Sequence, residues 1–315
     1  TSEEIFNIKH EEWTVKLINS SKDISLILNK YKKGNAKKIS NLIKSREAPQ
    51  KLIISLISSQ LDCDRLDYLM RDSYTTGARY GHLDIDRIIS AMTIAPDGDL
   101  AIHPKGLMAV EHYLVIRNLM YRSVYNHRLN EVNSWLLEKI IQTAIELGPQ
   151  KIWADKYITR FLWDKDNINI ETFLKNDDIR LGYHIHSWDE SSPKPLSELC
   201  KRFLHRDLLK AINVESLNSE SQLKALAISR KLAEKEGKDS NYCCGLRRQK
   251  HQSYHPYKSG LRLWDGVELK SIESSSALIR GLIAPAQASW LIYPREINND
   301  LKKSIKDLIN YQDIQ

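Results

Sequence analysis

Ser58-Ser59-Gln60-Leu61-Asp62-Cys63-Asp64-Arg65-Leu66-Asp67-Tyr68-Leu69-Met70-Arg71-Asp72 is the stretch on which the reading of this chain turns. Wound as a helix, it sets Asp64, Tyr68, Arg71 and Asp72 at i, i+4, i+7 and i+8, on one face. Leu66, Leu69 and Met70 lie around the other sides. Carboxylates bind hard cations, and a guanidinium matches phosphate oxygens through its fork. A face of carboxylates, a phenol and a guanidinium is costly to bury without purpose. A solvated, salt-bridged helix face is the plain alternative on spacing alone.

On the N-terminal side, Ile5, Trp13, Leu17, Ile24 and Leu28 punctuate a helical stretch interrupted near Ser20-Ser21 and Asp23. Residues 37–45 and 49–59 repeat apolar residues at helical spacing. On the C-terminal side, Pro96-Asp97-Gly98 stands between short apolar runs and predicts a hairpin. Pro104 fits the first position of a long helix running to about Leu147, where Gly148-Pro149 ends it. That helix carries a second stripe, Arg117, Tyr121, Tyr125 and Arg128 at i, i+4, i+8 and i+11, with Asn126 and His127 beside it. Cations interleaved with aromatics suit phosphates and a base or sugar, or form an amphipathic surface of snorkelling arginines.

Shorter helices are expected beyond residue 150, then a clear helix over 219–236 closed by Gly237. The end of the chain changes character: two alternating runs flank Asp265-Gly266 as a second hairpin, and the basic stretch 244–258 is expected to be a mobile loop. The fold expected is mainly α, with the helical core in residues 1–150, a helical extension in 151–238 and a small α+β module in 239–315.

The chain has 315 residues, 42% of them hydrophobic, and no apolar run near the roughly 18–20 residues that span a bilayer. No signal peptide opens it, which makes the cytoplasm the expected location. Its four cysteines form no metal-binding or C-x-x-C spacing, so reduced structural thiols are expected. A formal charge of +7 suits polyanionic partners, nucleoside polyphosphates or nucleic acid.

The run 58–72, continued by Tyr74-Thr75-Thr76-Gly77, resembles the last motif of the HD-domain dNTP triphosphohydrolases. That family includes bacterial dNTPases and the animal sterile-alpha-motif/HD enzyme. The similarity runs on through 117–128, Lys201-Arg202-Phe203-Leu204 and 257–296. It implies an HD-domain-like helical core with a small C-terminal α+β module. It also implies hydrolysis of a dNTP to deoxynucleoside and triphosphate at a divalent metal (Mn, Fe, Mg or Zn), in a homodimer or homotetramer.

By that resemblance Asp64 is the final metal-ligating aspartate. Arg65, Tyr68 and Asp72 match residues that hold the triphosphate and sugar, Arg117 a phosphate-binding arginine, and Tyr125 and Asn126 positions near sugar and base. Arg71 on the motif face and Tyr121 in the second stripe join them as candidates by helical spacing. His10 delivers a proton near the scissile phosphate, with Glu3 as its acidic partner. Lys105 and Arg128 match cations that contact an activating nucleotide.

The family's upstream His and its His-Asp pair have no match here, since none of the ten histidines is followed by Asp. Asp64 alone does not hold a catalytic metal. Three expectations follow: an N-terminal segment, consistent with the start at Thr1, supplies the ligands; a second chain supplies them; or the protein is a non-catalytic nucleotide- or nucleic-acid-binding relative with a regulatory or scaffolding role.

Overall fold

The computed structural model describes residues 9–45, 50–80, 82–251, 254–256, 260–284, 286–306 and 308. These fall into two compact units, one drawn from His10–His127 and Lys250–Ala286, the other from Arg128–Gln249 and Gln287–Gln315. The mainly α class is as expected.

In the first unit, helices His10–Ser20, Lys22–Tyr31 and Asn35–Ser45 follow one another, with the break at Ser20-Ser21 where it was expected. The Ser21 hydroxyl accepts from the Ile24 N–H and caps the second of them. The motif forms the helix Cys63–Thr76, entered through Asp62 and closed by Gly77 at φ 69°. The core of this unit gathers Leu61, Leu66 and Leu69 of the motif with Ile88, Ile102, Val110, Tyr113, Leu114 and Met120. Met70, expected among the apolar sides, is instead 41% exposed.

Met92–Ile94 and Leu100–Ile102 pair antiparallel around Pro96-Asp97-Gly98, as predicted. Arg262–Trp264 and Leu269–Ser271 form the second predicted hairpin, in which the Asp265 carboxylate accepts from the N–H groups of Val267 and Glu268 at 2.8 Å. Leu263 pairs with Ile102, so the two hairpins make one four-stranded sheet. Their edges demand it: a lone hairpin leaves half its backbone groups unpaired. The expected module 239–315 is therefore divided, its hairpin completing the first unit's sheet and its other strands joining the second unit.

The long helix predicted from Pro104 to Leu147 is broken. Pro104–Gly106 is a 3₁₀ turn, Leu107–Met120 is α-helical, and Tyr121–Tyr125 is a π-helical turn in which the Asn126 N–H reaches back five residues to the Tyr121 carbonyl at 2.8 Å. Arg128–Leu147 is a separate helix. The wider turn adds a residue to the helical count, so Arg128 leaves the stripe begun by Arg117, Tyr121 and Tyr125.

In the second unit, Leu136, Ile140, Trp188, Leu196 and Leu199 make a helical core. The strands Lys210–Asn213, Ala286–Tyr293 and Gly245–His251 form a three-stranded sheet in that order, with Ala286–Tyr293 central. The expected loop over 244–258 is thus a strand as far as His251. Arg247 holds it there, donating to Glu131 at 2.7 Å and to Glu138 at 2.8 Å, all three carboxylate and guanidinium groups largely buried.

Two predictions test this architecture. Gly106 admits no side chain: a Cβ there would lie 2.2 Å from the Ala91 Cβ and 3.2 Å from Ile102. Gly106→Ala is expected to lose about 1–3 kcal/mol of unfolding free energy by urea titration. Second, Arg262 donates to the Asp97 carboxylate at 2.9 Å and holds its pKa at about 2, below the ordinary 3.8. A depressed folded pKa means stabilisation that is present above the ordinary value and is lost as pH falls through about 2. Asp97→Asn should flatten the fall in stability over that window; an unchanged acid limb would show that the pair contributes nothing.

Candidate functional site

The site is built where the chain turns into the motif helix. The Asp62 carboxylate accepts from the backbone N–H groups of Arg65 at 2.8 Å and Ser59 at 3.1 Å, and from Arg65 Nε at 3.0 Å. This cap points Leu61 and Gln60 inward, at 0% and 4% exposure. Tyr113 and Arg117, one helical turn apart on Leu107–Met120, both reach Gln60. The Tyr113 hydroxyl donates to its backbone carbonyl at 2.7 Å, and Arg117 Nη1 donates to its side-chain Oε1 at 2.9 Å.

Around Arg117 lie the motif's polar face and the π-helical turn. The Tyr68 and Tyr121 hydroxyls are 3.3 Å apart, and the Tyr125 hydroxyl donates to Asp72 Oδ2 at 2.6 Å. The Tyr125 ring stands edge-on to both Tyr121, at 5.0 Å, and Tyr68, at 6.0 Å. The Arg117 guanidinium lies 5.8 Å from the Tyr121 ring centre. Burial pushes the phenol of Tyr113 up to about 12. Burial and the Tyr121 hydroxyl raise that of Tyr68, and burial and the Asp72 carboxylate raise that of Tyr125. All three keep their protons at neutral pH; Tyr113 and Tyr125 donate, to the Gln60 carbonyl and to Asp72, while in the Tyr68–Tyr121 pair either hydroxyl can donate.

Arg117 is the exceptional member. It is 3% exposed, its Nε has no hydrogen-bond partner, and among the described residues it makes no ion pair. The nearby Asp62 carboxylate is engaged by Arg65. A buried cation without a counter-charge is expensive. The arrangement leaves a guanidinium ready for an anion, walled by phenols.

A model of the family described as the HD associated region matches residues 83–313. The chain belongs to that family. It is 27% identical over 305 residues to the uncharacterized protein YwfO of Bacillus subtilis, covering 94% of this chain and 69% of that protein. It is also similar to the crystal structure of a phosphohydrolase from Bacteroides thetaiotaomicron, with a TM-score of 0.77 and 27% identity over 91% of this chain and 73% of that one. A hypothetical protein from Aquifex aeolicus, at 21% identity and a TM-score of 0.73, shares the fold over 97% of this chain and 74% of its own.

The remaining sequence-predicted residues of this HD-associated chain are placed as follows. Arg71 sits apart from the cluster, forked onto Asp67 at 2.8 and 3.1 Å with both side chains exposed. Asn126 ends the π-helical turn, half-buried. His10 is 75% exposed, its Nδ1 3.6 Å from Glu11; Glu3 lies outside the described residues. Lys105 is exposed, its backbone N–H held by His103 Nδ1 at 3.2 Å. Arg128 belongs to the second unit, where it lines a cavity of about 520 Å³ together with Arg206, Lys210 and Arg295 and no carboxylate.

HD phosphohydrolases generally work through a bound metal, and the described residues do not by themselves fit one. Asp64 is exposed at the start of the motif helix, and among the described residues no group of three His, Cys, Asp or Glu side chains converges.

Sequence reasoning missed Gln60, Tyr113 and the Arg206–Lys210–Arg295 group. Tyr113 and Arg117 stand at i, i+4, a spacing that signals a shared face, but nothing local tells that Gln60 meets them. Removing the Tyr125 hydroxyl tests the cluster. Tyr125→Phe is expected to cost about 1–3 kcal/mol, since Asp72 loses its 2.6 Å donor. Unchanged stability in a denaturant titration would show that the pair does not form in solution.

Proposed function

We propose that this chain forms the substrate cradle of a metal-dependent HD phosphohydrolase that cleaves dNTPs to deoxynucleoside and triphosphate. The observation that carries the reading is Arg117, a buried guanidinium with an unpartnered Nε and a neutral anchor. A triphosphate supplies the missing negative charge, and Arg65 adds a second cation one turn into the motif helix. Tyr68, Tyr121 and Tyr125, kept protonated, wall the sugar, with Asp72 fixed by Tyr125 and Asn126 close to the base. Membership of the HD-associated family and the likeness to the Bacteroides phosphohydrolase support a hydrolase.

In this reading Asp64 is one metal ligand, and the His and His-Asp ligands come from an N-terminal segment or a second chain. His10, with Glu3, protonates the leaving 5′ oxygen. Arg71 reaches the phosphates only by leaving Asp67. Arg128 and its cationic cavity receive an activating nucleotide; Lys105 is a separate candidate contact for such a nucleotide, and the working form is a homo-oligomer in the cytoplasm.

Titration calorimetry with dGTP tests the cradle. Arg117→Ala is expected to weaken binding by about tenfold or more, the equivalent of about 1.4 kcal/mol. Unchanged affinity would overturn the assignment. Expressed with the coding sequence upstream, the protein should release inorganic triphosphate. Binding of dGTP without that release would make it a nucleotide-binding relative instead.

A further inference from the structure

The side chain that meets Arg117 is an amide where buried guanidinium groups usually find a carboxylate. Gln60 Oε1 accepts from Arg117 Nη1 at 2.9 Å, and Gln60 is itself 4% exposed. Its place is fixed from two sides. The Tyr113 hydroxyl holds its carbonyl at 2.7 Å, and the next residue, Leu61, is fully buried with its N–H donating to the Ser59 hydroxyl at 3.0 Å. The carboxylate two residues on, Asp62, is engaged as helix cap by the Arg65 N–H at 2.8 Å and by Arg65 Nε at 3.0 Å. The unit thus holds a cation in a set orientation without cancelling its charge.

We infer that Gln60 is a positioning residue whose neutrality matters: it orients the Arg117 guanidinium while leaving its full positive charge for a polyphosphate. A carboxylate of the same shape at this position would form an internal ion pair with Arg117 and compete with the incoming phosphate. An amide orients the fork through one hydrogen bond and exerts no comparable attraction. The inference rests on the reading of Arg117 as the phosphate-binding residue and extends it to the residue that keeps the guanidinium available. It also states what the site selects, which is negative charge and not merely a hydrogen-bond acceptor.

Gln60→Glu and Gln60→Ala separate this role from a structural one. Each variant of the full chain is titrated with inorganic triphosphate and with dGTP, and its thermal unfolding is measured alongside. Gln60→Glu is expected to keep the wild-type midpoint or exceed it while losing about tenfold or more in triphosphate affinity. Gln60→Ala, which frees the guanidinium without neutralising it, should lower the midpoint and lose less affinity than Gln60→Glu. A structural role alone would move stability and affinity together in both variants, and that result overturns the inference. So does wild-type triphosphate binding by Gln60→Glu. The Arg117→Ala titration distinguishes the two levels. If Arg117→Ala loses binding and Gln60→Glu does not, only the role of Gln60 falls. If Arg117→Ala itself binds triphosphate normally, the nucleotide reading falls with it.

Discussion

A guanidinium buried to 3% and held by an amide is the constraint around which this site is arranged. Placing a cation there requires a rigid anchor, and the anchor exists because Asp62 caps the motif helix and turns Gln60 inward. It requires a wall that tolerates charge, and the phenols of Tyr113, Tyr68 and Tyr121 provide polar tips on apolar bodies. It also leaves the cation without an ion-pair partner among the described residues. An anionic ligand would supply the missing charge, and on that the proposed function rests.

The π-helical turn at Tyr121–Tyr125 is the second device. A regular α-helix from Leu107 would carry Tyr125 and Arg128 along one continuing face. The wider turn instead brings the Tyr125 ring against Tyr68 and Tyr121 and its hydroxyl onto Asp72, and frees Arg128 for another unit. The Asn126 N–H to Tyr121 carbonyl hydrogen bond belongs to this wider turn, which ends the stripe at Tyr125. The cavity lined by Arg128, Arg206, Lys210 and Arg295 has the charge for a nucleotide but none of the tyrosine wall.

Several parts of this architecture were legible in the residues themselves. Helical spacing located the motif helix, Pro96-Asp97-Gly98 and Asp265-Gly266 located both hairpins, and Gly237 closed the helix that begins at Ser219. These signals are local, because caps, turns and apolar periodicity act within a few residues of where they are written. The stripe Tyr68/Asp72 and the stripe Arg117/Tyr121/Tyr125 were also visible as separate faces, each ambiguous by itself between a binding surface and a solvated one.

What the sequence determined by itself was the helical class, both hairpin turns, and which polar side chains share a helix face. The tertiary structure alone decided that the two stripes face each other, since the contacts Tyr68–Tyr121 and Asp72–Tyr125 each span 53 residues. It alone decided that Gln60 meets Arg117, that Arg71 is taken up by Asp67, that the C-terminal module is divided between two sheets, and that residues 245–251 are a strand. The physical reason is common to all of these. Local hydrogen bonds and spacing fix how a segment folds, but burial and charge compensation are settled by partners far along the chain, and it is those that turn a polar helix face into a site.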